Sequence, residues 1–260
     1  MKYFYITCSE LAKLTGHNTY EPVSKTVNTL LNKFGIKSVY VPKSNIEEGL
    51  NTLSDEAKVE LSKELSSLSN SCISIHELEQ AIKINIVYPT QNGSLTEENS
   101  KSMLTELLKD KPVLESMNQY IQKDLRMRRG NIKESKNIDT LQDKKQIKVE
   151  QRNSKMYTKE LLRTDKYCII LKGKVDGISD DTVVEAKNRQ NKLFMELRDY
   201  ERVQLEAYMF LTDYKNSILT EHYNDTSNQI HYLHDEGFWK QCVDSTIEFI
   251  NLHIVPHIEE

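Results

Sequence analysis

Two carboxylates and an ammonium stand close together in the segments GKVDG and VVEAK: Asp176, Glu185 and Lys187. Side chains alternate across a strand, so Glu185 and Lys187 share a face with Val183, while Val184 and Ala186 take the other. Asp176 falls late in the preceding extended segment, and an antiparallel hairpin brings it to Glu185. Two carboxylates supply the oxygen ligands that Mg²⁺ prefers. A cation held there lowers the pKa of a bound water and offsets phosphate charge. The lysine positions or helps deprotonate that water, and stabilises a pentavalent phosphorus centre. The chemistry this set suits is metal-assisted phosphodiester hydrolysis.

Neighbouring segments extend the set. In ERVQLEAYMFL, Gln204 and Tyr208 are four apart and share a helix face. Gln204 can reach the water or orient the lysine, and Tyr208 combines packing with a polar tip. In RRGNIKE, Glu134 follows Gly130 by four residues and offers a third carboxylate, with Arg126, Arg128 and Arg129 nearby to suit phosphates. Taken singly, ExK is an ordinary solvated strand face and GxxDG an ordinary turn; the order and the following QxxxY helix carry the reading.

The elements that must position these residues follow from pattern. A strand at Tyr3–Ile6 leads into a helix capped by Thr7 or Ser9 and stopped at Gly16. Helices are expected over 23–35, 54–69, 74–83, 95–109 and 112–128, with 84–90 a strand or extended link and QNGS at 91–94 a turn. β-Branched residues cluster after Ile147, and 166–178 and 182–188 read as two strands joined at SDD. A helix over 196–213, a strand at 229–234 and a helix at 237–252 complete the chain. The expected layout is a helix-rich half followed by a β-β-α unit.

With 260 residues the chain can bury a sizeable core. Its net charge of −4 does not favour a nucleic-acid partner, although a local basic groove can sit on an acidic body. Cys8, Cys72, Cys168 and Cys242 are scattered without a CxxC pair, which suits reduced thiols in an intracellular, cytoplasmic or nuclear protein. No apolar run is long enough to span a bilayer, and no membrane role is expected. HELEQ at 76–80 lacks a metalloprotease's second histidine, His231, His234 and Cys242 match no standard zinc spacing, and no Gly-rich phosphate loop is present.

The arrangement resembles the PD-(D/E)XK nuclease superfamily, and within it the lambda-exonuclease or YqaJ-like viral recombinase branch. The matching residues are Asp176 in GKVDG, Glu185-Ala186-Lys187, Gln204 with Tyr208, and Glu134 in GNIKE; ITCSELAKLTGHNTY resembles the branch's opening segment. No proline precedes Asp176, where the name-giving motif has one. The resemblance covers residues 1–20 and about 126–213.

The resemblance implies an α/β, restriction-endonuclease-like core with a central mixed sheet flanked by helices. The catalytic part would occupy 126–260, and 21–125 would be an inserted or extended helical subdomain. It implies Mg²⁺, replaceable by Mn²⁺, on Asp176, Glu185 and the Ala186 carbonyl. Ser9 would contact a terminal phosphate with Lys2 near it, and Arg129, Arg189 and Tyr208 would lie against DNA. The implied activity is exonucleolytic degradation of double-stranded DNA from 5′ ends, in recombination, repair or viral DNA processing. A ring-like homo-oligomer and a single-strand annealing protein are the implied partners. The residues leave two alternatives open: an endonuclease or flap nuclease on the same core, and a catalytically dead DNA-binding scaffold.

Overall fold

The structure is a computed structural model and describes residues 1–38, 40–65, 74–90 and 96–258. Strand β1 (Lys2–Thr7) runs directly into helix α1 (Cys8–Leu14). Thr7 is the N-cap: its hydroxyl accepts from the Glu10 amide at 3.3 Å, and the Glu10 carboxylate accepts from the Thr7 amide at 2.7 Å. Ser9 is therefore not the cap but an exposed first-turn residue. Helices α2 (Val23–Lys33), α3 (Asn45–Leu50), α4 (Asp55–Glu64) and α5 (Ile75–Ile82) follow. From α5 the chain winds on through a π-turn, Lys83–Val87, into the short α6 (Tyr88–Thr90). The extended segment expected at 84–90 is thus helical, and the QNGS turn lies outside the described residues. Helices α7 (Glu97–Leu108), α8 (Pro112–Ser116) and α9 (Asn118–Lys145) close this half.

The second half holds the strands β2 (Tyr157–Arg163), β3 (Tyr167–Gly173), β4 (Gly177–Ser179) and β5 (Thr182–Asn188), then helix α10 (Asp199–Thr212). Strands β6 (Asn216–Tyr223) and β7 (Thr226–Leu233) precede helix α11 (Glu236–His253). Two mixed sheets result. In one, β1 is parallel and β2 antiparallel to the central β3; in the other, the order is β4-β5-β6-β7 with β5 and β6 parallel. Helix α10 makes the crossover that a parallel β5–β6 pair requires. This is the mixed α/β class expected, with helices against the sheets and a helix-rich first half. The segment expected to be one strand over 166–178 is broken at Lys174–Asp176 into β3 and β4, and β2 and β6 are additional strands.

Three apolar clusters hold these elements. The largest joins β1, α1, α2, β3, α10 and α11 through Phe4, Ile6, Leu11, Leu30, Leu171 and Val203. A second, with Ile46, Leu61, Leu78, Ile86, Leu114 and Ile121, is confined to residues 46–125. Helix α2 packs on the first, so the separate helical body begins at α3. Helix α9 has 28 residues, about 42 Å at 1.5 Å per residue. It contributes Ile121 and Leu125 to the helical body, and Ile138 and Leu141 to a third cluster with Val149 and Val184 of β5. One helix thus fixes the helical body against the strand that carries Glu185. Cys8, Cys168 and Cys242 are buried free thiols. Among the described residues, no helix is long and apolar enough to cross a membrane.

Gly173, the last residue of β3, marks a close approach. A Cβ there would lie 2.6 Å from the Cys8 sulfur and 2.9 Å from the Tyr208 ring. Both neighbours are buried, so neither can move cheaply. G173A is expected to cost about 1–3 kcal/mol through overpacking, lowering Tm by roughly 2–10 °C. A differential scanning calorimetry trace matching wild type would show that this contact is not tight.

Candidate active site

Asp176, Glu185 and Lys187 converge as strand alternation requires. Asp176 sits in the break between β3 and β4, which residues 149–153 brace. The Glu150 amide donates to the Ile178 carbonyl at 2.6 Å, the Ile178 amide donates back at 2.9 Å, and the Asn153 amide donates to the Val175 carbonyl at 3.2 Å. Gly177 lets this brace close, since a Cβ there would lie 2.2 Å from a Val149 methyl. Strand β4 pairs with β5 only as far as Gly177 and Val184. Beyond that point the Ala186 amide donates to Asp176 Oδ2 at 2.8 Å, so the side chain continues what the ladder leaves off.

Glu185 is buried, at 3% exposure. Its Oε1 accepts from Lys187 Nζ at 2.5 Å, and the same ammonium donates to Gln204 Oε1 at 3.2 Å. The Gln204 amide nitrogen donates in turn to the Tyr208 hydroxyl at 3.0 Å. Lysine, glutamine and tyrosine thereby form a chain from β5 onto α10. Glu134 reaches the site from α9 and accepts from Asn153 Nδ2 at 3.1 Å.

Burial, and then the charges of Glu185 and Glu134, push the Asp176 carboxyl up to about 9. Burial also raises Glu134, against the Asn153 hydrogen bond and with the charge of Glu185. For Lys187, burial alone would lower the ammonium, but Glu185 and Asp176 outweigh it and raise it. Burial and the charge of Glu185 hold the Tyr208 hydroxyl far above its usual range, so it stays protonated. The site is therefore electronegative around one lysine.

The donor set fits a divalent cation. Glu185 Oε2 is buried and has no hydrogen-bond partner among the described residues. An orphaned carboxylate oxygen is costly, and a hard cation is the partner that removes the cost and also the repulsion with Asp176. No group of three or more His, Cys, Asp or Glu among the described residues is placed to hold a metal. A metal here would rest on two carboxylates and a main-chain oxygen such as that of Ala186.

The residues expected to touch DNA separate into two groups. Lys2 and Ser9 are exposed, and Ser9 follows the buried Cys8 that packs at Gly173. Arg129, Arg189 and Tyr208 are instead buried, at 3%, 7% and 7% exposure. Arg129 donates to the Thr90 carbonyl at 3.4 Å. Tyr208 serves Gln204. Arg189 makes a buried clamp, donating to both oxygens of Glu201 at 2.6 and 3.2 Å and to Glu221 at 2.8 Å, with the Phe194 ring 4.1 Å away. Glu221 also accepts from the Phe194 and Met195 amides at 3.0 and 2.7 Å. Arg189 thus ties the end of β5 to β6, to the following loop and to the first turn of α10, ahead of Gln204. Sequence spacing identified neither this clamp nor Asn153. Charged partners twelve and thirty-two residues away carry no local signal.

Two outcomes follow from these contacts. The folded-state pKa of Asp176 lies above its unfolded value near 4, so the metal-free fold binds the extra proton and loses stability as pH rises from about 4 to about 9. D176N removes that loss. The Tm difference, variant minus wild type in chelator, is expected to grow with pH across that window; a constant difference contradicts the pairing of Asp176 with Glu185. For the clamp, R189Q strands two buried carboxylates, at a cost of about 3–5 kcal/mol, and lowers Tm by roughly 10 °C. A variant that melts with wild type but binds DNA weakly would return Arg189 to a DNA-contact role.

No family model matches the chain, and no curated protein matches it either. Solved structures with partial likeness include an alkaline exonuclease from Laribacter hongkongensis, at 11% identity over 65% of this chain and 92% of that one, with a TM-score of 0.41. A phage-related exonuclease from Haemophilus somnus 129PT is 9% identical over 97% of this chain and 96% of that one, with a TM-score of 0.41. Likeness at this level assigns no activity to the chain.

Proposed function

We propose that this protein is a metal-dependent deoxyribonuclease that hydrolyses phosphodiester bonds from the ends of double-stranded DNA, in the 5′ to 3′ direction. The observation that carries the reading is the buried, unpartnered Oε2 of Glu185, set beside Asp176 and one hydrogen bond from Lys187. A structural ion pair needs no second carboxylate and leaves no orphaned oxygen. A site that takes a divalent cation, with a lysine alongside, accounts for both.

Asp176, Glu185 and the Ala186 carbonyl would hold Mg²⁺ or Mn²⁺. When bound, the cation would supply an acidified water and neutralise charge on the phosphate. The chain's own residues do the rest. Lys187 presents an ammonium to the attacking water or to a phosphate oxygen, held between Glu185 and Gln204. Gln204 is kept in place by Tyr208. Glu134, raised in pKa, can hold a proton near the reacting oxygens. Preference for a DNA end rests on the likeness of residues 1–20 to the exonuclease branch. Roles in recombination or viral DNA processing, self-assembly and recruitment of a single-strand annealing protein rest on the same likeness.

End-labelled linear duplex, with and without a 5′ phosphate, and covalently closed circles are the substrates that test this. Linear DNA is expected to be degraded with Mg²⁺ or Mn²⁺ and spared in chelator, while circles survive. K187A, D176N and E185Q are each expected to lose at least about 10²–10³-fold in rate. D176N is also expected to abolish the Tm increase that Mn²⁺ gives wild type. Cleavage of circles at the linear rate would make the protein an endonuclease. Absence of metal-dependent cleavage, with DNA binding retained, would make it a scaffold.

A further inference from the structure

A cavity of about 330 Å³ lies where α7, α9 and the residues after β5 meet. Its wall includes Lys101 from α7, Arg126 and Arg129 from α9, and the amides of Gln122, Gln190 and Asn191. No carboxylate is among its described lining residues, although the chain carries a net charge of −4. Lys101 Nζ donates to the Gln190 carbonyl at 3.2 Å and to Asn191 Oδ1 at 2.7 Å, and Arg126 donates to Gln122 Oε1 at 3.2 Å. These neutral oxygens orient both cations without cancelling their charge. Arg129 is buried in the same wall.

The cavity's place in the fold suggests what fills it. Gln190 comes three residues after Lys187, so the two backbones lie within about 11 Å. On α9, Arg129 and Arg126 precede Glu134 by roughly 7.5 and 12 Å of helix rise. Residues 122, 126, 129 and 133 recur at three- and four-residue spacing and form one face of α9. That face continues into a second cavity of about 180 Å³, lined by Lys133, Lys136 and Lys144 of α9 together with Asn188 and His222. The two cavities flank the end of β5, with Asn188 at one and Gln190 and Asn191 at the other.

We propose that the cavity between α7, α9 and residues 190–191 seats a backbone phosphate of a nucleic-acid strand that passes the Asp176–Glu185 centre, with α9 as the rail along which that strand lies. The choice of a strand as occupant rests on the nuclease reading, whereas the affinity for phosphate rests on the cavity's charge alone. Cations and amides without a competing carboxylate suit a phosphodiester. A phosphate anchored one or two linkages from the carboxylate pair would set which bond lies over the metal.

The test uses the full chain in chelator, where no cleavage occurs, and a fluorescent single-stranded oligonucleotide followed by polarisation over a salt series. K101Q/R126Q is compared with K37Q/K240Q, which removes the same charge from exposed positions elsewhere. K101Q/R126Q is expected to bind at least about tenfold more weakly, and its log K against log salt slope to be shallower by about 1.4, at 0.7 per lost phosphate contact. Equal affinity and slope for the two double variants overturn the proposal. So does inorganic phosphate alone raising the Tm of wild type, but not of K101Q/R126Q, at concentrations that also displace the oligonucleotide, since the occupant is then a free ion. Intact metal-dependent cleavage with unchanged binding defeats the cavity proposal only. Lost binding in K101Q/R126Q, in a protein that never cleaves, supports the cavity and defeats the nuclease reading.

Discussion

Two carboxylates held together out of water repel each other, and much of the surrounding structure exists to keep Asp176 and Glu185 in place despite that. Three devices offset the repulsion. The Ala186 amide donates to Asp176, the Lys187 ammonium donates to Glu185, and Asn153 donates to the third carboxylate, Glu134. Each comes from a different part of the chain: the strand itself, its neighbour two residues on, and the brace before β2. None of them satisfies Glu185 Oε2. The residual strain is local and points at one place, which is why a cation is the economical completion of the site.

Rigidity comes from a second, fully compensated charge cluster. Arg189 faces two carboxylates, and every one of these groups is buried and hydrogen-bonded. Its position two residues after Lys187 matters. The clamp joins the end of β5 to β6 and to the start of α10, so Lys187 and Gln204 cannot drift apart without opening it. A charged cluster that is satisfied fixes geometry, and one that is left unsatisfied binds something; β5 carries both within five residues.

The sequence made the carboxylate centre legible because strand period and hairpin order suffice to place Asp176, Glu185 and Lys187. Gln204 and Tyr208 were equally readable from helical spacing. What failed was burial of charge. Arg129 and Arg189 look like phosphate contacts in a linear chain, and only tertiary partners turn Arg189 into a clamp. Strand β6 failed for the same reason. Six consecutive residues of NSILTEHY are buried, including Ser217, Thr220, Glu221 and His222, so there is no alternation to see. Residues 84–90 alternate like a strand, but the capping box at Ser74 starts a helix that continues through them. The extent of α9 was hidden by its polar composition, because it buries only scattered residues along its length.

The identity of residue 204 follows from the same electrostatics. Lys187 needs a second acceptor to hold its ammonium between β5 and α10. A carboxylate would bind it more tightly, but it would add another negative charge to a centre where Asp176 is already pushed up to about 9 by Glu185 and Glu134. A neutral amide accepts from Lys187 through its oxygen and donates to Tyr208 through its nitrogen. It therefore positions the lysine from both ends without drawing it away from Glu185. Tyr208 can serve only as an acceptor that stays neutral, which its burial and the nearby carboxylates enforce. The chain from β5 to α10 thus carries position and no charge, leaving the ammonium as the single cation that an incoming phosphate meets among Asp176, Glu185 and Gln204.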